Sequence, residues 1–154
     1  MTREHTAAVL NELIETSHDG EMGYAKAARE VVEPPLKAVF VEGAMRCREG
    51  ARELEHQVRE MGLEPARGGS VAGAVHRGWL GLKSRSTSRD TRAILEECER
   101  GEDYARARYE EALEEADLPS DLRTMIERQY AGVLHNHDRV RSLRNALARA
   151  SRGS

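Results

Sequence analysis

Aromatic residues are scarce in this chain. One Trp, one Phe and four Tyr are spread over 154 residues. Such a composition does not supply the core of a β-rich fold, which draws on aromatic and β-branched residues. Cysteine is almost missing too. Cys47 and Cys98 are the only two, and no Cys-x-x-Cys or other zinc spacing is present. Both fall on apolar stripes of predicted helices, so they are expected as small core residues in a reducing compartment rather than as a disulfide. No apolar run approaches the roughly 20 residues that span a bilayer. The N-terminal "MTREHTAAVLNELIE" lacks the basic-then-apolar layout of a signal peptide. No long basic block exists and the net charge is only −3 with signs interspersed, which leaves nucleic-acid binding little electrostatic footing. The expected address is the cytoplasm, with neither a membrane nor a nucleic acid as partner.

What is present is charge and helix formers. A third of the residues are Asp, Glu, Lys or Arg, and Ala, Glu, Arg and Leu dominate, the composition of long amphipathic helices. Apolar residues recur at helical spacing in four stretches, about 5–32, 35–61, 91–116 and 121–148. The first carries Leu10, Leu13, Ile14, Tyr24, Ala28 and Val31. Pro34 and Pro35 close it and open the second, since proline is tolerated in a first turn and not inside a helix. Gly62 is a natural cap for the second helix. The turn "DLPSD" separates the last two, with Ser120 expected as a cap, and the terminal "SRGS" is expected to fray.

Connection lengths give the topology. Short turns make hairpins of helices 1–2 and 3–4. The middle connection, about residues 63–90, is far longer than adjacent antiparallel helices need. It is rich in Gly and Ser and holds one short amphipathic piece with Val71, Val75, Trp79 and Leu82. A helix of about 27 residues is roughly 40 Å long, a distance this connection spans as a crossover containing a short helix. The fold expected is all-α: one domain over residues 1–154, a ferritin-like four-helix bundle of two antiparallel hairpins joined by a long crossover.

The functional question concerns polar residues inside the apolar stripes. His137 lies four residues after Val133 and three before Val140, at the centre of the inward face, while His135 points away. Glu102 lies between Cys98 and Ala105, and Glu21 among Ile14, Ser17, Tyr24 and Ala28. All three are near mid-helix, where positions in a bundle meet at one depth. Two buried carboxylates need compensation. A metal bound by Glu21, Glu102 and His137 is one solution, with iron or manganese as its ion. A buried network is the other, in which Arg141, one turn after His137, neutralises a carboxylate and Tyr24, Tyr109 and Tyr130 add hydroxyls. The network needs no cofactor and is the favoured reading. The complete dinuclear ligand set is absent: Leu134 stands three before His137 where a Glu would be required, and Glu53–His56 on the second helix lies off its stripe. "GGSVAG" follows no strand and is no phosphate loop. No Ser-His-Asp or Cys-His arrangement is indicated. His76 and Arg77 beside Trp79 read as anchors of the crossover or as a surface site.

The motifs "GSVAGAVHRGW", "CERGED", "ERQY" and "HDRV", in this order, resemble a bacterial family of ferritin-like four-helix-bundle domains of unknown function. The resemblance runs from "LNELIE" to "RVRSLR" and implies the ferritin-like fold, with rubrerythrin and bacterioferritin as distant relatives. "LNELIETSHDGEMGY" is similar to the first helix of bacterioferritin, in which a metal-binding Glu precedes the Tyr by seven residues. That position is Ser17 here. On the second helix the comparable positions are Arg46 and Glu49. Only His137 and Glu102 carry over, which argues against ferroxidase chemistry. The sequence leans towards a non-catalytic binding or structural bundle, with a metal-binding or oxidoreductase role as the alternative and homo-oligomerisation open.

Overall fold

The computed structural model describes residues 2–67 and 90–153. Four helices make up the described chain: α1 (Arg3–Glu30), α2 (Pro34–Glu60), α3 (Thr91–Leu113) and α4 (Ser120–Gly153). The Thr2 side chain accepts from the His5 amide to cap α1. Asp90 accepts from the Arg92 amide to cap α3. The chain turns extended at Val31 and Glu33 ahead of Pro34 and Pro35, because a residue before proline is pushed out of the helical region. α1 therefore stops slightly earlier than its periodicity suggests. Gly62 has φ 75° and terminates α2 as expected.

Three further boundaries differ from the sequence reading. Ser120 does not cap α4. It is the first helical residue, and its carbonyl accepts from the Thr124 hydroxyl. The C-terminal end does not fray at Ala148 but continues helical to Gly153. Ala and Arg, both good helix formers, occupy most of that last turn and sustain it without an apolar stripe. α3 ends at Leu113, about one turn short of Ala116. The short crossover helix proposed around Val71, Val75, Trp79 and Leu82, and the His76–Arg77 pair, lie outside the described residues.

The core falls into two apolar clusters, one towards each end of the bundle. Tyr24, Ala28, Leu36, Phe40, Ile94 and Val140 belong to the first. Leu10, Ile14, Leu54, Val58, Leu122 and Ile126 belong to the second. Each helix contributes its early residues to one cluster and its late residues to the other. α1 and α4 therefore run one way and α2 and α3 the other. Each of the four packed pairs, α1 with α2, α1 with α3, α3 with α4 and α2 with α4, is antiparallel. The end of α2 and the start of α3 therefore lie at opposite ends of the bundle. Among the described residues no helix is long and apolar enough to cross a membrane.

The α2–α4 seam is polar along its length. Glu42 pairs with Arg139. Arg46 donates to the Gly132 carbonyl at 3.0 Å. Gln129 donates to the Gly50 carbonyl at 3.3 Å and to Glu53 at 3.0 Å, and Arg128 donates to Glu53 at 2.6 Å.

Candidate functional site

Between the two apolar clusters the bundle turns polar. Glu102, only 2% exposed, enters this waist from α3, and His137, 4% exposed, enters from α4. His137 Nδ1 lies 2.8 Å from Glu102 Oε1. The other oxygen, Oε2, accepts from the Tyr24 hydroxyl of α1 at 2.5 Å. On the outer side, Arg141 reaches His137 Nε2 at 3.0 Å. A guanidinium only donates, so Nε2 is the acceptor and Nδ1 carries the proton given to Glu102. The order is thus Arg141 to His137 to Glu102, with Tyr24 closing the other end.

The electrostatics follow from this chain. The hydrogen bond that His137 donates to Glu102 raises the His137 pKa above its ordinary value, against the opposing effects of burial and the Arg141 and Arg106 charges. Burial, reinforced by the Glu102 charge, pushes the Tyr24 phenol well up. Burial raises Cys47 to about 12 and Cys98 well above a free thiol. Both cysteines are unpaired and stay as neutral thiols, which are poor nucleophiles and poor metal ligands.

Glu21 is not part of this cluster. It is half-buried on the flank of α1, with its carboxylate 4.0 Å from His18 Nδ1. The inward positions of α1 at this level are Ser17, Gly20 and Tyr24, and Glu21 falls beside them. Tyr130 also lies outside: its hydroxyl donates to the Glu110 side chain at 2.6 Å. Tyr109 donates to Gln129 at 2.8 Å, one layer away from Glu102. Arg141 acts through His137 rather than on a carboxylate directly. His56 is exposed, close to Glu60, and Glu53 belongs to the α2–α4 seam.

A metal of the ferritin kind does not fit these residues. Glu102 and His137 are bonded to each other instead of being splayed around a common point. Among the described residues no group of three His, Cys, Asp or Glu is arranged to hold an ion.

Sequence reasoning passed over the space beside the network. A cavity of about 280 Å³ opens at the waist, and five glycines line it: Gly20, Gly43, Gly50, Gly101 and Gly132, drawn from all four helices. Buried polar groups face it, including Asn136 (2% exposed) and Gln129 (7%). The signal for both was in the periodicity. Asn136 lies three after Val133 and four before Val140, and Gln129 three after Ile126 and four before Val133. Asp19, 1% exposed, also lines the cavity, but no simple spacing from the α1 stripe marks it.

The architecture and its polar waist define a ferritin-like four-helix bundle. The solved structures agree. The bacterioferritin-related dodecameric thioferritin of Bacteroides fragilis superposes with a TM-score of 0.84 at 15% identity, covering 99% of this chain and 92% of that one. Dps of Mycobacterium smegmatis gives 0.75 at 17% identity, with 91% and 86% covered. A conserved hypothetical protein of Mycobacterium tuberculosis gives 0.73 at 11%, with 92% of each chain covered. At these identities the likeness is one of fold. Within that class the chain belongs to the family described as domain of unknown function DUF2383, whose profile matches residues 5–115. No curated protein sequence matches the chain.

Proposed function

We propose that this chain is a non-catalytic binding bundle in which the Tyr24–Glu102–His137–Arg141 network stands where other ferritin-like proteins carry a metal centre. One observation carries the reading: both oxygens of the buried Glu102 carboxyl group are taken up by protein donors. A carboxylate so satisfied has little to gain from an ion, which would have to displace the phenol and the imidazole together. With both thiols neutral and His137 engaged on both ring nitrogens, neither the cysteines nor His137 is poised as nucleophile or base.

Elemental analysis tests the proposal. Protein purified without chelator and loaded with iron(II) or manganese(II) should retain no stoichiometric metal after desalting. One or two equivalents, lost in His137→Ala, would establish the metal-binding alternative.

Self-association is the second part of the reading. Met22 (37% exposed), Val41 (45%) and Met45 (55%) are large apolar side chains open to solvent. Gly20 packs on Cys47 and Gly43 on Tyr24, which sets Met22 level with Met45 on the α1–α2 hairpin. The structural neighbour from Bacteroides fragilis is a dodecamer. Light scattering should find an oligomer that Val41→Glu with Met45→Glu reduces; a monomeric wild type at tens of micromolar would rule it out.

A further inference from the structure

The waist cavity lies beside the network, and Tyr24 and Glu102 form part of its wall. Five helical glycines surround it, although each glycine costs about 1 kcal/mol relative to alanine in a helix interior. Close packing accounts for three of them. A Cβ on Gly20 would meet Cys47 Sγ at 2.8 Å, on Gly43 the Tyr24 ring at 3.0 Å, and on Gly132 the Arg46 side chain at 2.8 Å. It does not account for Gly50, where a Cβ would find only ordinary contact with Gln129 at 3.6 Å. Small residues alone would mark nothing but a gap. The second observation is Asn136. It is 2% exposed, lines the cavity, and neither its Oδ1 nor its Nδ2 has a hydrogen-bond partner among the described residues. An unpaired buried amide costs about 1–3 kcal/mol.

We infer that this cavity binds a small, uncharged, planar molecule that presents an amide or lactam edge to Asn136. The inference rests on the binding reading above and names its ligand class. A carboxamide offers an acceptor and a donor side by side. The group that satisfies both offers a donor and an acceptor side by side in return, as a primary amide or a ring lactam does. The walls add flat apolar surface, the rings of Tyr24, Tyr104 and Tyr109, which suits a planar body. Volume sets the size. A cavity of roughly 150 Å³ holds benzene and drug-sized ligands need about 300 Å³ or more, so 280 Å³ suits one or two rings. Charge sets the sign. The lining acids Asp19, Glu49, Glu53 and Glu102 outnumber the lining bases Arg46 and Arg128, which disfavours an anion. A cation such as an amidine offers only donors and leaves the Asn136 Nδ2 unsatisfied. Entry is open to a simple motion: Arg46, whose stem lies over Gly132, needs only to leave that residue's carbonyl.

The test is an NMR titration of the full chain that follows the Asn136 side-chain amide. The probes are benzamide, 2-pyridone, toluene, benzoate and benzamidine. Benzamide and 2-pyridone should shift the Asn136 amide resonances saturably, at least tenfold more tightly than the other three. Asn136→Leu should lose that preference while still admitting toluene. Gly50→Ala, which leaves the packing intact, should fold normally and bind benzamide several-fold more weakly. Toluene, benzoate or benzamidine binding as tightly as benzamide would overturn the inference, as would no shift with any probe, which would mean the cavity holds water alone. Either failure in a protein that retains no metal removes the ligand class and leaves the binding-bundle reading standing; stoichiometric metal removes that reading itself.

Discussion

His137 joins the electrostatics of the waist to its stability. Replacing it by alanine leaves Glu102 buried with the Tyr24 hydroxyl alone. Breaking a buried pair in this way costs about 3–5 kcal/mol, and urea unfolding of His137→Ala should show it. Glu102→Gln should cost less than about 1.5 kcal/mol, or nothing, because the uncharged amide still bridges Tyr24 and a tautomer-switched His137. The exposed Arg141 can then turn to solvent. A loss as large as that of His137→Ala would show that charge, not hydrogen-bond geometry, holds the network. The raised His137 pKa also fixes a sign. A base whose folded pKa lies above its unfolded value of about 6.5 contributes stability that is complete below that value and disappears as the pH rises through the folded one. The stability of the wild type relative to His137→Gln should therefore fall as the pH rises from about 6.5 through the raised folded value. A difference that is flat or rising with pH would contradict the assignment. Glu102 and His137 were legible in the sequence because each sits at the centre of a clean stripe on a helix with a narrow buried face. Glu21 was misjudged because α1 buries far more of its circumference than α3 or α4. Its buried arc is wide, and a residue at the edge of that arc is hard to tell from one at its centre.

At the scale of the elements, the glycines separate packing from space. Gly43→Ala gains helix propensity but presses a Cβ against Tyr24 at 3.0 Å and Asn136 Nδ2 at 3.1 Å. Overpacking of this kind costs about 1–3 kcal/mol, and it bears on the residue that holds Glu102. Gly50→Ala meets nothing closer than 3.6 Å and should stabilise α2 by about 0.5–1 kcal/mol. Thermal melts that move in opposite directions are expected; a shared direction would contradict the packing described. Periodicity, the Pro34–Pro35 break and the Gly62 cap made the four helices readable, and the unequal connections made the crossover topology readable. The C-terminal extension of α4 was not, since its last turn carries no apolar stripe and rests on the propensity of Ala and Arg. The cavity was not readable either. A glycine in a helix pattern looks the same whether it admits a neighbour's side chain or leaves a void, and only the placement of all four helices tells Gly20 from Gly50.

For the whole molecule, two apolar clusters hold the ends of a ferritin-like frame, and the waist between them carries hydrogen bonds and space. The α2–α4 seam, held by Glu42–Arg139, Arg46–Gly132 and Glu53–Arg128, gives the waist a polar wall. What Glu102 is bonded to decides between a closed network and a metal site. The direct measurement is the nitrogen-15 spectrum of the His137 ring, recorded alone and with a tenfold excess of zinc(II), a diamagnetic stand-in for iron or manganese. A proton on Nδ1, shared with Glu102 and unmoved by zinc, is the predicted result. Loss of that proton with a coordination shift at either ring nitrogen would show that the waist is a metal site and that the network is only its empty form.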